Sequence, residues 1–182
     1  ITVMIRRGTY ELADPITITP DESGTEAGPT LYCAYPGEKV VLSGGRRLTG
    51  WTAVGGKLRL EIPEVREGKW RFEQLFVNGH RRFRPRLPKN GYYLIADTAE
   101  PSPEAKGKGH DRFVFNEGEI RADWANRDAV DVLCFQSWTM ARMRIADVDP
   151  AARTVRFVAP TISDVWFFAL NKGHRYIVEN VK

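Results

Sequence analysis

The sequence contains few of the residues that build cysteine-rich or metal-dependent domains. It has two cysteines, Cys33 and Cys134, and three histidines among 182 residues. Two cysteines cannot form the disulfide framework of a small secreted domain. Each lies in an apolar run, which predicts two buried free thiols. Because no His-x-x-x-His or Cys-x-x-Cys spacing occurs, we expect no metal site and no cofactor.

Long hydrophobic segments are also missing. No apolar run approaches the ~20 residues of a membrane span, so we expect no membrane as a partner. No signal peptide is visible either. The chain begins at Ile1, already inside a β-type pattern, and stops at Lys182 just after an apolar run. This pattern at both ends predicts a fragment or a processed chain.

Charge of one sign is only slightly in excess, with 27 basic and 23 acidic residues and a net charge of +4. Nucleic-acid-binding proteins usually carry a dense basic stripe, and no such stripe is present, so we expect no nucleic-acid partner. The sequence also lacks a nucleophile elbow, a phosphate-binding loop and a dinucleotide fingerprint.

Short strands fill the first fifty residues, where helix signals are absent. The order strand, turn, strand occurs twice, so that Val3 corresponds to Leu31 and Ile16 corresponds to Val40. A period of roughly 25 residues is typical of the stacked coils of a solenoid. A β-sandwich with short strands is the alternative that the pattern leaves open.

The pattern changes after Trp51. Gly55-Gly56 and Asn78-Gly79 supply the positive φ angles of tight hairpin turns, and many strands then follow at close spacing. A single helical turn is expected around Ala122 to Ala125. This arrangement is typical of a β-sandwich or a partly open barrel. We therefore predict an all-β chain with one domain at residues 1–50 and a second at residues 51–182.

A series of short motifs carries a family resemblance, which lies in their order more than in any one of them. The motifs are Gly8-Thr9-Tyr10, Tyr35-Pro36-Gly37-Glu38, Val41-Leu42-Ser43-Gly44-Gly45, Leu48-Thr49-Gly50-Trp51, Gln74-Leu75-Phe76-Val77-Asn78-Gly79, Arg84-Pro85-Arg86 and Tyr176-Ile177-Val178. In this order they resemble the N-terminal portion of right-handed parallel β-helix glycoside hydrolases. The sequence is most similar to glycoside hydrolase family 141 and less similar to family 120.

The resemblance implies a fold and a place in a longer protein. Residues 1–50 would form the first coils of a right-handed parallel β-helix, and residues 51–182 would form an inserted β-sandwich or barrel-like domain. The helix would resume after the insert, so the remainder of its own β-helix would be a partner. In such enzymes the catalytic carboxylates lie on later coils. The resemblance therefore implies no catalytic residue in this chain, which alone would be inactive.

Four arginines, at positions 81, 82, 84 and 86, follow the Asn78-Gly79 turn as a row, and three of them, Arg81, Arg84 and Arg86, are candidates for binding. A guanidinium group matches a carboxylate with two parallel hydrogen bonds, so this row could clamp an acidic sugar. The structural alternative is that one or two of these arginines staple the insert onto the β-helix. We include all three among the candidate substrate-binding residues and keep both interpretations.

Tryptophan is the other candidate for contact with sugar. Trp51 and Trp124 have polar neighbours and are the candidate stacking residues. Trp138 and Trp166 lie in or beside apolar strands, which predicts that they belong to the core. Paired carboxylates occur at Glu117 with Glu119 and at Asp128 with Asp131, but without a recognisable aromatic arrangement, so we interpret them as solvated charge.

Together these features predict the N-terminal part of a secreted or periplasmic, carbohydrate-active protein, a glycoside hydrolase acting on polysaccharide or oligosaccharide. Two alternatives remain open. One is a non-catalytic carbohydrate-binding or adhesin module. The other is a polysaccharide lyase, which shares the β-helix but uses calcium and a basic residue to abstract a proton.

Overall fold

The chain folds almost entirely as β-strands, as its sequence predicts. The computed structural model describes all residues from Ile1 to Lys182 and contains sixteen strands and one single-turn α-helix. The all-β prediction is therefore confirmed. No helix has the length and apolar character to span a bilayer. The chain divides into two compact units, Ile1–Arg71 and Phe72–Lys182, and each is described by itself.

The first unit contains six short strands and the only α-helix. The elements are β1 (Thr2–Ile5), β2 (Gly8–Glu11), β3 (Leu31–Ala34), β4 (Val40–Ser43), β5 (Thr52–Val54), β6 (Lys57–Arg59) and α1 (Pro63–Arg66), with a 3-10 turn at Pro20–Glu22. Strands β5 and β6 form a hairpin. Its turn, Gly55-Gly56, has the positive φ angles, 56° and 73°, that the sequence predicts.

Strands β1 to β4 form two parallel pairs. Strand β1 pairs with β3, with Thr2 opposite Leu31, and β2 pairs with β4, with Gly8 opposite Val40. Two parallel strands must be joined by a long connection. Because the strand-turn-strand order occurs twice, a long stretch of chain separates the two strands of each pair. Each sheet has only two strands.

The predicted correspondence of Val3 with Leu31 is one residue from the observed register, in which Val3 is opposite Tyr32. The predicted correspondence of Ile16 with Val40 is wrong, because Val40 is opposite Gly8 and Ile16 lies in no strand. A β-helix belongs to the proposal below.

The apolar side chains of the first unit are uncovered. None of its residues is buried, and Leu31, on β3, is 52% exposed. The predicted burial of both cysteines is therefore half correct, because Cys33 is exposed whereas Cys134, in the second unit, is buried. The predicted boundary between residues 50 and 51 stays a prediction, since β5 and β6 pair only with each other.

The second unit contains ten strands. They are β7 (Leu75–Val77), β8 (His80–Arg82), β9 (Arg86–Leu87), β10 (Tyr93–Leu94), β11 (Asp97–Thr98), β12 (Arg112–Val114), β13 (Asp131–Phe135), β14 (Met140–Asp149), β15 (Thr154–Phe157) and β16 (Arg175–Glu179). Strands β7 and β8 form the predicted hairpin, and its turn residues Asn78 and Gly79 have φ angles of 53° and 76°. Three 3-10 turns complete the unit, at Pro103–Ala105, Arg127–Ala129 and Trp166–Phe168.

Strands β10 to β16 close into an antiparallel barrel. Their hydrogen-bonded order is β10-β16-β13-β14-β15-β12-β11, and its two ends, β10 and β11, belong to one continuous segment. Within that segment the Ile95 amide donates to the His174 carbonyl and the Ala96 amide donates to the Val114 carbonyl, both at 2.9 Å. Closure covers the edges of strands β12 to β16, which removes a route to aggregation.

One long strand makes this closure possible. Strand β14 spans ten residues, pairs with β13 through its first half and pairs with β15 through its second half. The register shifts between Ile145 and Asp147. A β-bulge of this kind bends a strand and increases its twist, so β14 can belong to both sides of the barrel.

Alternate residues of the barrel strands fill its interior. The buried cluster includes Val132 and Cys134 of β13, Met143 and Ile145 of β14, and Tyr176 and Val178 of β16, together with Phe113, Phe115, Val155, Phe157, Leu170, Ile95, Ile120, Val130 and Val148. Three rings meet at its centre, because Phe113 lies 5.6 Å from Phe157 and 5.0 Å from Tyr176 between ring centroids. The period-two alternation read from the sequence thus sets the interior of the second unit.

Candidate functional site

Three aromatic side chains form an exposed surface at one end of the barrel. Trp138 lies in the turn between β13 and β14, and Trp166 and Phe167 lie in the 3-10 turn Trp166–Phe168. The two indole rings meet edge to face at 5.7 Å. Phe167 lies 4.8 Å from Trp138 and 5.6 Å from Trp166. We call Trp138, Trp166 and Phe167 the aromatic surface.

A buried glutamine connects the two turns that carry this surface. The side-chain amide of Gln136 donates a hydrogen bond to the carbonyl of Phe168. Its side-chain oxygen accepts a hydrogen bond from the hydroxyl of Thr139 at 2.9 Å. The Gln136 backbone amide donates to the Thr139 carbonyl at 3.0 Å. Since these bonds fix both turns, the rings are held in place before any ligand binds.

The exposure of the two indole rings determines which ligands they can contact. Trp138 is 68% exposed and Trp166 is 66% exposed, although each could bury a large apolar area. A contiguous exposed apolar patch commonly marks a binding site. The C–H face of a pyranose ring is flat and apolar while its hydroxyl groups point outward. An exposed indole face is therefore suited to stack on a sugar.

The predicted core position of these two tryptophans is wrong. Both lie beside apolar residues in sequence, which led to that interpretation, but both lie in turns. A signal was available, because Gln136-Ser137 precedes Trp138 and Ser163-Asp164 shortly precedes Trp166. Polar, turn-forming residues immediately before an aromatic residue favour a loop position over a strand interior.

The arginines predicted to bind substrate are placed differently from one another. Arg81 is exposed on β8 and lies opposite Phe76 in the hairpin. Arg86 lies on β9, and its guanidinium group donates to the carbonyls of Pro88 and Gly91. The predicted row is therefore not a single surface, and the binding role of Arg81 stays a prediction.

Arg84 belongs to a network of charges on the outside of the barrel. Its Nη1 lies 2.6 Å from Asp131 and 3.3 Å from Glu179. Arg142 contacts the same two carboxylates, at 3.1 Å and 2.9 Å, and its Nε lies 3.3 Å from Glu73. Asp131 is completely buried. These contacts favour the interpretation of Arg84 as a structural staple, here within the second unit.

The two tryptophans predicted to stack on sugar lie in separate units. Trp51 is 41% exposed, and its indole N–H donates to the Leu48 carbonyl at 3.1 Å. Trp124 packs against the barrel interior and lines a shallow cavity of about 380 Å³ with Asn126 and Asp128. The sugar-binding role of each stays a prediction.

The candidate carboxylates have structural partners. Glu119 accepts a hydrogen bond of 2.6 Å from the hydroxyl of Tyr176. Burial, followed by this contact, raises the pKa of the Tyr176 phenol above its ordinary value. Asp131 is engaged by two arginines. Since glycoside hydrolysis needs two carboxyl groups facing one sugar bond, these two groups are poor candidates. No group of three or more His, Cys, Asp or Glu side chains could hold a metal ion.

No protein-family model and no curated protein matches this sequence. A solved structure described as a glycoside hydrolase is similar in fold, with a TM-score of 0.61 and 23% sequence identity. The similarity covers 100% of this chain and 32% of that chain. This chain therefore spans about a third of that protein's length, and the likeness extends over both of its units.

Proposed function

We propose that this chain is the N-terminal part of a carbohydrate-active protein and that its barrel contributes a sugar-binding surface. The observation that carries the proposal is the aromatic surface, whose two indole rings are about two-thirds exposed and lie on turns that Gln136 connects through hydrogen bonds. The fold likeness to a glycoside hydrolase supports a carbohydrate as the ligand.

The parent protein is proposed to be a secreted or periplasmic glycoside hydrolase of family 141 that acts on polysaccharide. Its β-helix would start with β1 to β4, whose two parallel pairs have the spacing of stacked coils. The exposed apolar residues of that unit would be covered by later coils of the same helix. The order of the sequence motifs and the pairing of these strands support this proposal.

The catalytic carboxylates are proposed to lie on those later coils. Within this chain, Asp131 and Glu119 are held by structural contacts, which leaves neither free for acid–base chemistry. The barrel would then bind polysaccharide and the later coils would cleave it. A catalytic pair in the longer protein is expected ~5–5.5 Å apart for a retaining mechanism or ~6.5–9.5 Å apart for an inverting one.

A non-catalytic binding module is the second candidate, and the aromatic surface favours it equally. The two candidates can be distinguished by the products that the longer protein releases. A hydrolase releases new reducing ends from polysaccharide, whereas a binding module or adhesin releases none. A polysaccharide lyase would instead release products with an unsaturated sugar that absorbs in the ultraviolet.

Affinity electrophoresis of the full chain tests the binding role. We expect gels containing soluble plant polysaccharide to retard the chain. The Trp138→Ala/Trp166→Ala double variant should bind at least about tenfold more weakly, because it loses two stacking faces. Phe83→Ala is the matched control, since Phe83 is an aromatic residue that is 98% exposed outside the aromatic surface. Equal retardation of the double variant and the wild type would contradict the proposal.

A further inference from the structure

Two guanidinium groups lie over one tyrosine ring in the second unit. The Cζ atom of Arg175 is 5.0 Å from the centroid of the Tyr92 ring, and that of Arg86 is 5.6 Å from it. Neither arginine forms an ion pair with a carboxylate. The donors of Arg86 are bonded only to backbone carbonyls, those of Pro88 and Gly91. We call Arg86, Arg175 and Tyr92 the cationic group.

The cationic group is distinguished by two guanidinium groups that contact the same ring. Like most arginines of this unit, Arg86 and Arg175 form no ion pair with a carboxylate, whereas Arg84, Arg121 and Arg142 do. Lys89, in the turn after β9, adds a further exposed positive charge. A surface lined by one sign of charge raises the local concentration of oppositely charged ligands. The cationic group therefore has the electrostatics of an anion-binding site.

The cationic group is also held in position. Arg86 is fixed by its two backbone carbonyl contacts. Tyr92 packs edge to face against Phe135 at 5.2 Å between centroids, and Arg175 is on β16, directly opposite Phe135 of β13. A guanidinium group whose neighbours already restrain it loses less rotational freedom on binding an anion.

Arg175, in the cationic group, lies at the same end of the barrel as the aromatic surface, whereas the backbone of Arg86 is opposite Glu179, at the other end of β16, and its side chain reaches the Tyr92 ring. Arg175 is the first residue of β16, Phe135 is the last residue of β13, and Met140 is the first residue of β14. These three residues are opposite one another across the three strands. The turn between Phe135 and Met140 carries Trp138. A ligand that spans a few sugar units could therefore contact both features.

We propose that the barrel recognises an acidic polysaccharide, with the carboxylate of a hexuronate unit bound by Arg86 and Arg175 while a neighbouring sugar stacks on the aromatic surface. This inference rests on the proposed carbohydrate-binding function and names its substrate class. A guanidinium group binds a carboxylate through short, charge-assisted hydrogen bonds, roughly twice as strong as neutral ones. The exposed aromatic rings supply the uncharged part of the contact.

Binding of the full chain to two forms of one polymer tests this inference. The polymers are polygalacturonate and its fully methyl-esterified form, which has the same sugar chain without the charges. We expect the wild type to bind polygalacturonate about tenfold more tightly than the ester at low ionic strength. Arg175→Gln and Arg86→Gln should each remove most of that preference without changing affinity for the ester. Arg153→Gln, at an exposed arginine between β14 and β15, should change neither.

The outcomes separate this inference from the proposed function. If the chain binds both polymers equally and Arg175→Gln has no effect, the uronate site is refuted while the carbohydrate-binding surface stands. If neither polymer binds, the uronate site is refuted, and the retardation of the chain by neutral plant polysaccharides then decides the carbohydrate-binding function separately. Dextran sulfate serves as a general polyanion. Affinity for it equal to that for polygalacturonate, with no loss in the Trp138→Ala variant, would show simple charge attraction and would also refute the uronate site.

Discussion

Strands β1 to β4 and strands β12 to β16 are both rich in apolar residues, yet only the second group encloses a core. The first unit has no buried residue, and its strands pair in sheets of two. The barrel contains a buried cluster of fifteen side chains. The difference lies in closure, because each of strands β12 to β16 is flanked on both sides by another strand of the same unit.

This difference indicates which part of the chain can be stable by itself. A two-stranded sheet buries little surface and is at best marginal in water, whereas a closed barrel buries one face of every strand. In a solenoid each coil contacts only its neighbours, so the first coils depend on those that follow. The comparison therefore predicts a self-sufficient barrel and a first unit that needs additional coils.

Separating the two units should have the largest effect. We expect residues 72–182 alone to unfold cooperatively on heating and to give a dispersed NMR spectrum. Residues 1–71 alone should show no cooperative transition, because they bury no core. Circular dichroism melts of both fragments provide the measurement. A cooperative transition in residues 1–71 would contradict the claim that the first unit is not stable by itself.

Truncation of a core side chain should have the next largest effect and should also distinguish the two units. Phe113→Ala should cost about 4 kcal/mol of unfolding free energy, because Phe113 is completely buried in the barrel. Tyr32→Ala should leave the cooperative transition of the barrel unchanged, because Tyr32, on β3, is exposed in the first unit. Urea unfolding of the full chain, followed by tryptophan fluorescence, is the measurement. A loss for Tyr32→Ala similar to that for Phe113→Ala would show that β3 is as well packed as the barrel.

Loss of Asp131 should have a somewhat smaller effect. Asp131→Ala should cost about 3 kcal/mol, because it leaves Arg84 and Arg142 without their buried counter-charge. Asp123→Ala is the matched control, since Asp123 pairs with Arg121 at an exposed site and should cause no measurable change. Thermal unfolding of both variants is the measurement, and equal shifts in Tm would contradict the structural role of the network.

The smallest expected effect is a dependence of stability on alkaline pH. Burial and the Glu119 contact raise the pKa of Tyr176 in the folded state, whereas a free tyrosine titrates at about 10. The contribution of Tyr176 should therefore be present in full below about pH 10 and be lost as the pH rises further. Burial also raises the pKa of the Cys134 thiol, so Cys134 adds a separate loss that begins at lower pH. Tyr176→Phe should remove the Tyr176 part of the loss in urea unfolding at pH 9 to 11. Tyr10→Phe, at an exposed residue, should leave the loss unchanged.

Local chemistry made the turns predictable from the sequence. Asn78-Gly79 and Gly55-Gly56 adopt positive φ angles because their own backbones allow them, with no need for distant partners. Period-two alternation likewise identified strands such as β1 and β13, but not every one, because Ile16 lies in no strand. The expected helical turn around Ala122 to Ala125 is wrong, because the turn forms at Arg127–Ala129 instead. Short helical turns have weak signals that neighbouring structure easily overrides.

The ion pairs of Arg84, the closure of the barrel and the exposure of Trp138 and Trp166 could not be predicted, because they depend on long-range contacts. Arg84 is engaged by Asp131, 47 residues away, and by Glu179, 95 residues away, so its neighbours in sequence say nothing about its partners. Closure of the barrel depends on residues 93–98 bonding to two strands that are far apart in sequence. The exposure of Trp138 and Trp166 depends in turn on where the closed barrel places its turns.

A titration that follows the indole N–H signals of the five tryptophans tests the central claim most directly. Each tryptophan gives one signal in the nitrogen–proton NMR spectrum of the labelled full chain, and hexagalacturonate and xylohexaose serve as ligands. We expect at least one ligand to shift the signals of Trp138 and Trp166 and to leave those of Trp51, Trp70 and Trp124 unchanged. Shifts confined to Trp51 or Trp124, or no shift with either ligand, would contradict a sugar-binding surface on the barrel.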